Sequence, residues 1–299
     1  MRILLYAIFT NEYTKLIKPW LETTAKNFYP NNTDVLVITD NLDCIEDRRG
    51  LIVEKIESLP FRNQELWMKN KRHMEILDKY KDSYDIFACL QSNCICPNLV
   101  DERVLPLDKD KLTVFEHTCS GIKHVITNSV CKLGSCGCRP LASYNNTFVH
   151  ANVTIGGYDV MFKMNKDCND MYLKDKSKNR LSRVPYHDES YLNSWIVDNR
   201  DKINILSRLN SGELDKVQSY ANPFFLVDKH EFGVMKNKYV IPAFIGNTRF
   251  GNWLFLIAAC YAHCLRNGYE MKLPNDKELI NKILPDEFGV PQLIDTKGK

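Results

Sequence analysis

Two adjacent carboxylates, Asp188 and Glu189, stand in the stretch Pro185-Tyr186-His187-Asp188-Glu189-Ser190-Tyr191-Leu192-Asn193, acidic where its surroundings are basic. Leu192, Trp195 and Ile196 recur behind them at helical spacing, which puts the pair in a first helical turn, where unpaired backbone N–H groups favour negative charge. Neighbouring residues on a helix point about 100° apart, so the two carboxylates cannot share one task as an i,i+4 pair could. They divide the labour in a reactive site, or Asp188 simply caps the helix, which is the commoner use of such a residue. A second set of reactive types, Cys119, Cys131, Cys136 and Cys138 with His117 and His124 among them, could hold a zinc ion. Its spacing fits no paired C-x-x-C pattern, and eleven cysteines is an odd total, so reduced thiols are the expectation.

The elements that must carry these groups are legible as apolar runs. Arg2 to Phe9 is continuously apolar and predicts a strand buried on both faces of a mostly parallel sheet. A helix from about Thr14 to Phe28 and a strand from Asp34 to Thr39 complete a β-α-β start. Such strands present ligands at their carboxyl ends, and Tyr13 follows the first of them directly. From about Gln64 to Tyr80, Trp67, Met74 and Leu77 form an apolar helix face beside the basic group Lys71, Arg72 and His73. Ile86 to Leu90 is another buried strand, and it ends on two neutral amides, Gln91 and Asn93. Leu112 to Glu116 reads as a strand ending at His117. Phe148 to Gly157 reads as a strand ending in a glycine pair, where backbone can approach a ligand or turn tightly. Met164 to Leu173 reads as a scaffold helix.

Taken in order, these stretches resemble glycosyltransferase family six, which contains the blood-group A and B transferases, the α-1,3-galactosyltransferase and shorter bacterial relatives. His187 to Asn193 is similar to the family's H-D-E-S-x-L-N signature. Tyr6-Ala7-Ile8, Tyr13, Leu21-Glu22-Thr23 and Val37-Ile38-Thr39-Asp40 resemble its opening strand and helix. Phe87 to Asn93 sits at its metal-binding strand end, and Phe148 to Gly157 resembles its donor-selecting segment. The likeness covers about residues 1 to 230. It implies an α/β fold of GT-A type over residues 1–232, with a mixed, mostly parallel central sheet flanked by helices. It also implies retaining transfer of galactose or N-acetylgalactosamine from a UDP-sugar to the 3-hydroxyl of a galactoside, an oligosaccharide or glycoconjugate acceptor.

Residue roles follow from the same resemblance. Glu189 is the carboxylate that stabilises or attacks the sugar's anomeric centre, or orients the acceptor; Asp188 takes donor hydroxyls. Tyr6, Ala7, Ile8 and Tyr13 hold uracil and ribose, and Arg72 is a nucleotide contact. His150-Ala151-Asn152 resembles the His-Ala-Ala triplet associated with galactose, though this chain has one residue more before the glycine pair. His117 and Tyr186 join Glu189 on the acceptor side, without the family's H-P-G-F pattern. Gln91 and Asn93 replace the Asp-x-Asp pair that usually holds Mn²⁺ or Mg²⁺. Amide oxygens bring no charge to offset a cation's desolvation, and the bacterial relatives work without metal. The expectation is therefore metal-independent chemistry, no cofactor beyond the UDP-sugar, and Gln91 and Asn93 facing UDP. The leaving diphosphate needs a Lys or Arg, for which Arg183 and Lys229 are candidates.

The chain of 299 residues carries a formal charge of +3, which singles out no anionic partner, and no nucleic-acid partner is expected. The apolar start stops at Thr10-Asn11-Glu12 without a small-residue cleavage site, and no run reaches the ~18 residues of a membrane helix. A cytoplasmic chain without a membrane anchor is the expectation. Residues 233–299 read as a short β-α-β segment, with strands at Lys238 to Ile245 and Tyr269 to Leu273. Its G-N-x-x-F, A-A-x-Y-A and N-G wording resembles the start of α-1,2-fucosyltransferases, which use GDP-fucose. The segment is then the opening of a second enzyme, or else an extension of the first domain. Two other readings of the whole stay open: an inactive sugar-nucleotide- or glycan-binding module, and a zinc-stabilised interaction domain.

Overall fold

The computed structural model describes residues 1–45, 50–57, 62–116, 136, 148–178, 187–206, 210–212, 224–227, 239–240 and 270–271. The chain divides into two compact units, one of Met1–Leu59 with Asn63–Met235 and one of Pro60–Arg62 with Lys236–Lys299. In the second, β11 (Tyr239–Val240) and β12 (Glu270–Met271) pair in parallel.

The first unit is built on a seven-stranded sheet in the order β3-β2-β1-β4-β7-β6-β8. β1 (Ile3–Phe9), β2 (Thr33–Thr39), β3 (Leu51–Lys55) and β4 (Ile86–Leu90) are mutually parallel. β7 (Val149–Gly156) runs against both β4 and β6 (Leu112–Glu116), and β8 (Ile203–Leu206) lies parallel to β6 at the edge. The sheet is thus α/β, mixed and mostly parallel, flanked by helices. β1 leads outward to β2 and β3 on one side while β4 returns on the other, so the gap between the carboxyl ends of β1 and β4 is a topological switch point, the usual ligand crevice of open α/β sheets.

Alternation along β1 explains how both faces are buried. Ile3, Leu5, Ala7 and Phe9 join one apolar cluster with Trp20, Phe28 and Phe224. Leu4 and Tyr6 join another with Leu77, Met161, Leu192 and Trp195. The first face is covered by a helical run over Asn11–Ala25 and by a small sheet of β5 (Cys94–Ile95), β9 (Asn210–Gly212) and β10 (Phe225–Val227). The run passes from 3-10 turns through α1 (Ile17–Trp20) to a wide π turn. Pro19 has no N–H to give, so one uniform α ladder cannot persist through it. The second face carries α2 (Arg62–Tyr80), α3 (Tyr158–Ser177) and α4 (His187–Asp198).

The glycine pair has a packing role. A Cβ on Gly157 would stand 2.5 Å from the Lys109 carbonyl oxygen, and one on Gly156 2.8 Å from Val160. Gly157 also donates its N–H to Lys109 at 2.9 Å. The pair lets the chain turn into α3 with backbone against backbone, at the amino-terminal edge of β4, since Gly156 lies opposite Phe87. Of the expected ligand approach or tight turn, the turn is what these positions serve.

Candidate active site

The carboxyl end of β4, the first residues of β7, the first turn of α4 and the middle of α2 converge. Because β7 is antiparallel to β4, its opening residues lie beside β4's end: Leu90 opposes Val153, and the Gln91 N–H donates to the Asn152 carbonyl at 2.8 Å. On the other side of β7 the pairing is irregular. There its register with β6 shifts, from Thr113 opposite Ile155 to Phe115 opposite His150.

Each carboxylate has its own surroundings. Asp188 Oδ2 accepts from the Lys69 ammonium at 2.7 Å and lies 3.4 Å from the Gln91 side-chain amide. That amide also donates to the Ala151 carbonyl at 2.9 Å, as Lys69 does at 3.4 Å. Glu189 Oε1 lies 2.9 Å from His150 Nδ1 and accepts from the Ala151 N–H at 3.2 Å. The side chains of Asp188 and Lys69 are 17% and 16% exposed, and those of Glu189 and His150 are 13% and 11%. Solvent therefore screens these contacts far less than it does the surface pairs of α3. The Asn152 amide donates to Asn93 Oδ1 at 3.1 Å.

Asn193 holds this arrangement together. Its side chain accepts from the Val149 N–H at 2.8 Å and donates to the Val149 carbonyl at 2.9 Å and the Glu189 carbonyl at 2.8 Å. One buried amide thus pins the helix turn that carries Glu189 onto the strand that carries His150. The sequence motif contains Asn193, but its spacing alone assigned no task to it. Lys69 was missed for a different reason. It lies four residues before His73 on the inward face of α2, where an apolar residue is the ordinary expectation, and its partner is 119 positions away.

Beneath the corner lies a buried polar layer. His73 rests edge-on against Tyr6 at 5.5 Å, and the Cys89 sulfur is 3.9 Å from its Nε2. Burial, with the nearby positive charge of Lys69, pushes the His73 pKa down to about 3. Burial lowers the Lys69 pKa too, but Asp188, Cys89 and Glu189 together leave it above its ordinary value. Burial lifts the Cys89 and Cys168 thiols. Among the described residues the site has one ammonium, a neutral imidazole below it and unreactive thiols. A cavity of about 20 Å³ among Lys69, His73, Thr154, Asn165, Cys168 and Asp188 has room for about one water molecule.

The remaining expected site residues fall elsewhere. Tyr6 and Ala7 are fully buried in mid-strand, so their side chains act as core. Ile8 is half-buried at the end of β1, and half-buried Tyr13 packs against the first apolar cluster. Asn11, at the switch point, has a positive φ of 56°, and its N–H donates to Asp40 Oδ2 at 2.8 Å. Arg72 turns away from the carboxylates and donates to the Glu57 carbonyl at 2.8 Å. His117, Tyr186, Arg183 and Lys229 lie outside the described residues.

Of the proposed zinc set, Cys136 is described: Asp175 accepts its N–H at 2.7 Å, and Ser194 donates to its carbonyl at 2.8 Å. Its candidate co-ligands lie outside the described residues. Among the described residues the six cysteines are free, and no three His, Cys, Asp or Glu are arranged to hold a metal. No described helix is long and apolar enough to cross a membrane. No protein-family model matches the chain, and no curated protein matches it significantly.

Proposed function

We propose that the first unit is a retaining glycosyltransferase, moving galactose or N-acetylgalactosamine from its UDP conjugate to the 3-hydroxyl of a galactoside without a divalent metal. The observation that carries this reading is the meeting of α4's acidic first turn with β4's amide-bearing tip, beside a switch point suited to a nucleotide. Departure of UDP breaks the bond between the anomeric carbon and the phosphate oxygen and leaves an oxocarbenium-like centre. Glu189 stabilises or attacks that centre from below, and the acceptor hydroxyl then adds on the face UDP left, passing its proton to the departed phosphate oxygen and giving retention. His150 and the Ala151 N–H hold Glu189 for this role, and Asp188 takes donor hydroxyls.

The donor set at the strand tip supports a metal-free reaction. Gln91 and Asn93 are neutral, Asn93 is 6% exposed, and its side-chain oxygen already serves Asn152. A hard divalent cation asks for charged oxygens. The Lys69 ammonium is a positive charge already at the site.

The test is a screen of UDP-sugars against galactoside and fucosyl-galactoside acceptors, with and without chelator. Transfer that persists in chelator is expected. Transfer abolished by chelator and restored by Mn²⁺ would remove the metal-free part. No transfer or hydrolysis of any UDP-sugar would sink the enzyme reading and leave a sugar-nucleotide-binding module. That second reading is favoured by one feature, the engagement of both carboxylates and both amides within the protein.

A further inference from the structure

We propose that Lys69 is a positioning residue for the sugar donor: its ammonium keeps the Asp188 carboxylate ionised and in one rotamer where it meets the donor's hydroxyls. The inference rests on the transferase reading for its catalytic consequence. The ion pair itself is read directly from the structure.

Two carboxylates one residue apart, both mostly shielded from water, need charge or hydrogen-bond partners of their own. The described groups nearest Asp188 meet that need unequally. From α2 come Lys69 at 2.7 Å and His73, from β4 Cys89 and from α3 Cys168; Glu189 follows on its own helix, with His150 of β7 beyond it. His73 is held neutral and the two thiols are held protonated by burial, so among these described groups Lys69 brings the positive charge that touches Asp188. The same ammonium reaches the Ala151 carbonyl, and Gln91 bridges the same two acceptors. Lys69 therefore ties α2 to α4 and β7 through the one carboxylate that does not face His150. Removing it takes from a shielded carboxylate the positive charge that stood 2.7 Å away, a change that favours taking up a proton. A protonated Asp188 can no longer accept from a donor hydroxyl on both oxygens.

The experiment compares wild type, Lys69→Arg, Lys69→Met, Asp188→Asn and the double variant Lys69→Met with Asp188→Asn. Initial rates are taken with UDP-galactose from pH 5 to 9, and the Asp188 side-chain carboxyl is titrated by carbon NMR in labelled protein. The Met variant is expected to raise the donor KM at least tenfold at pH 6 and to recover as pH rises, while wild type and the Arg variant stay flat there. Its Asp188 resonance should titrate at higher pH than in wild type. The double variant should be no worse than Asp188→Asn alone, because the lysine acts through that carboxylate.

An Asp188 titration at the same pH in wild type and the Met variant would overturn the ion pair whatever the protein's activity. A shifted titration with wild-type donor KM and pH profile would overturn the positioning role while leaving the transferase standing. A wild type that turns over no UDP-sugar would remove the catalytic role together with the function it rests on.

Discussion

Two corners along the carboxyl edge of one sheet are built on opposite plans. Where β4, β7 and α4 meet, polar side chains are answered by polar groups from distant segments: Lys69 by Asp188, His150 by Glu189, Asn152 by Asn93, Gln91 by the Ala151 carbonyl. Where β1 and β2 end, polar contacts are short-range or reach backbone. Thr14 donates to Asn11, the Asn41 side chain accepts from the Asp43 N–H, and Arg72 donates to Glu57. The first plan fixes groups in advance, which is what bond-making requires. The second leaves an open margin with half-buried Tyr13, which suits a large planar ligand held by contact area. Substitutions at the first corner should therefore appear in kcat or in binding of the donor's sugar, and those at the second in nucleotide affinity.

The sharpest break of this contrast is at Glu189. Glu189→Gln is expected to lower kcat on the order of a thousandfold, with UDP affinity by calorimetry within twofold of wild type. A fall in affinity with unchanged kcat would reverse the roles of the two corners. Next in size is Asn193→Ala, which leaves both Val149 backbone groups without their buried partner. It should destabilise by about 2 kcal/mol, read as a lower denaturant midpoint, and should also reduce kcat because the Glu189 turn loses its tether.

The layer beneath the corner gives a pH signature. His73 has a folded pKa of about 3, below its ordinary value of 6.5, so the unfolded chain binds the proton first as pH falls. Its contribution to stability is intact above pH 6.5 and is lost toward pH 3 at about 1.4 kcal/mol per unit. Urea midpoints from pH 7 to 4 should show this slope, and His73→Asn should flatten it. The smallest expected effect is at the open margin. Tyr13→Ala should weaken UDP binding by about fivefold, roughly 1 kcal/mol, and leave kcat within twofold.

Strands buried on both faces were readable from composition. Ile86–Leu90 and Leu112–Glu116 begin and end where their apolar runs do, and β1 differs from its run by one residue. The edges were not. β3 is five residues of which none is fully buried, and β5, β9 and β10 have two or three residues each, too short for any periodicity. The sequence predicts a helix over Met164 to Leu173, but α3 spans Tyr158–Ser177. Its first turn is cued by the glycines that admit it rather than by apolar spacing, and its last is lysine-rich. At the site, the expectation that Asp188, Glu189, Gln91, Asn93 and residues 150–152 belong together came from family resemblance, and the structure does bring them together. Lys69 was invisible, since pairing across 119 positions leaves no local trace. Tyr6 was misleading for the converse reason: mid-strand alternation decides where its ring goes, and it goes inward.

The reversed course of β7 separates two demands on one short strand. Its far end is jammed against Lys109, where even a methyl group collides, while its near end sets His150 against Glu189 and Asn152 against Asn93. Under the proposed transferase reading, exchanges at Ala151 or Asn152 can alter the near end without disturbing the joint that seats the following helix. Such a layout keeps variation at one end of the strand from reaching the packing at the other.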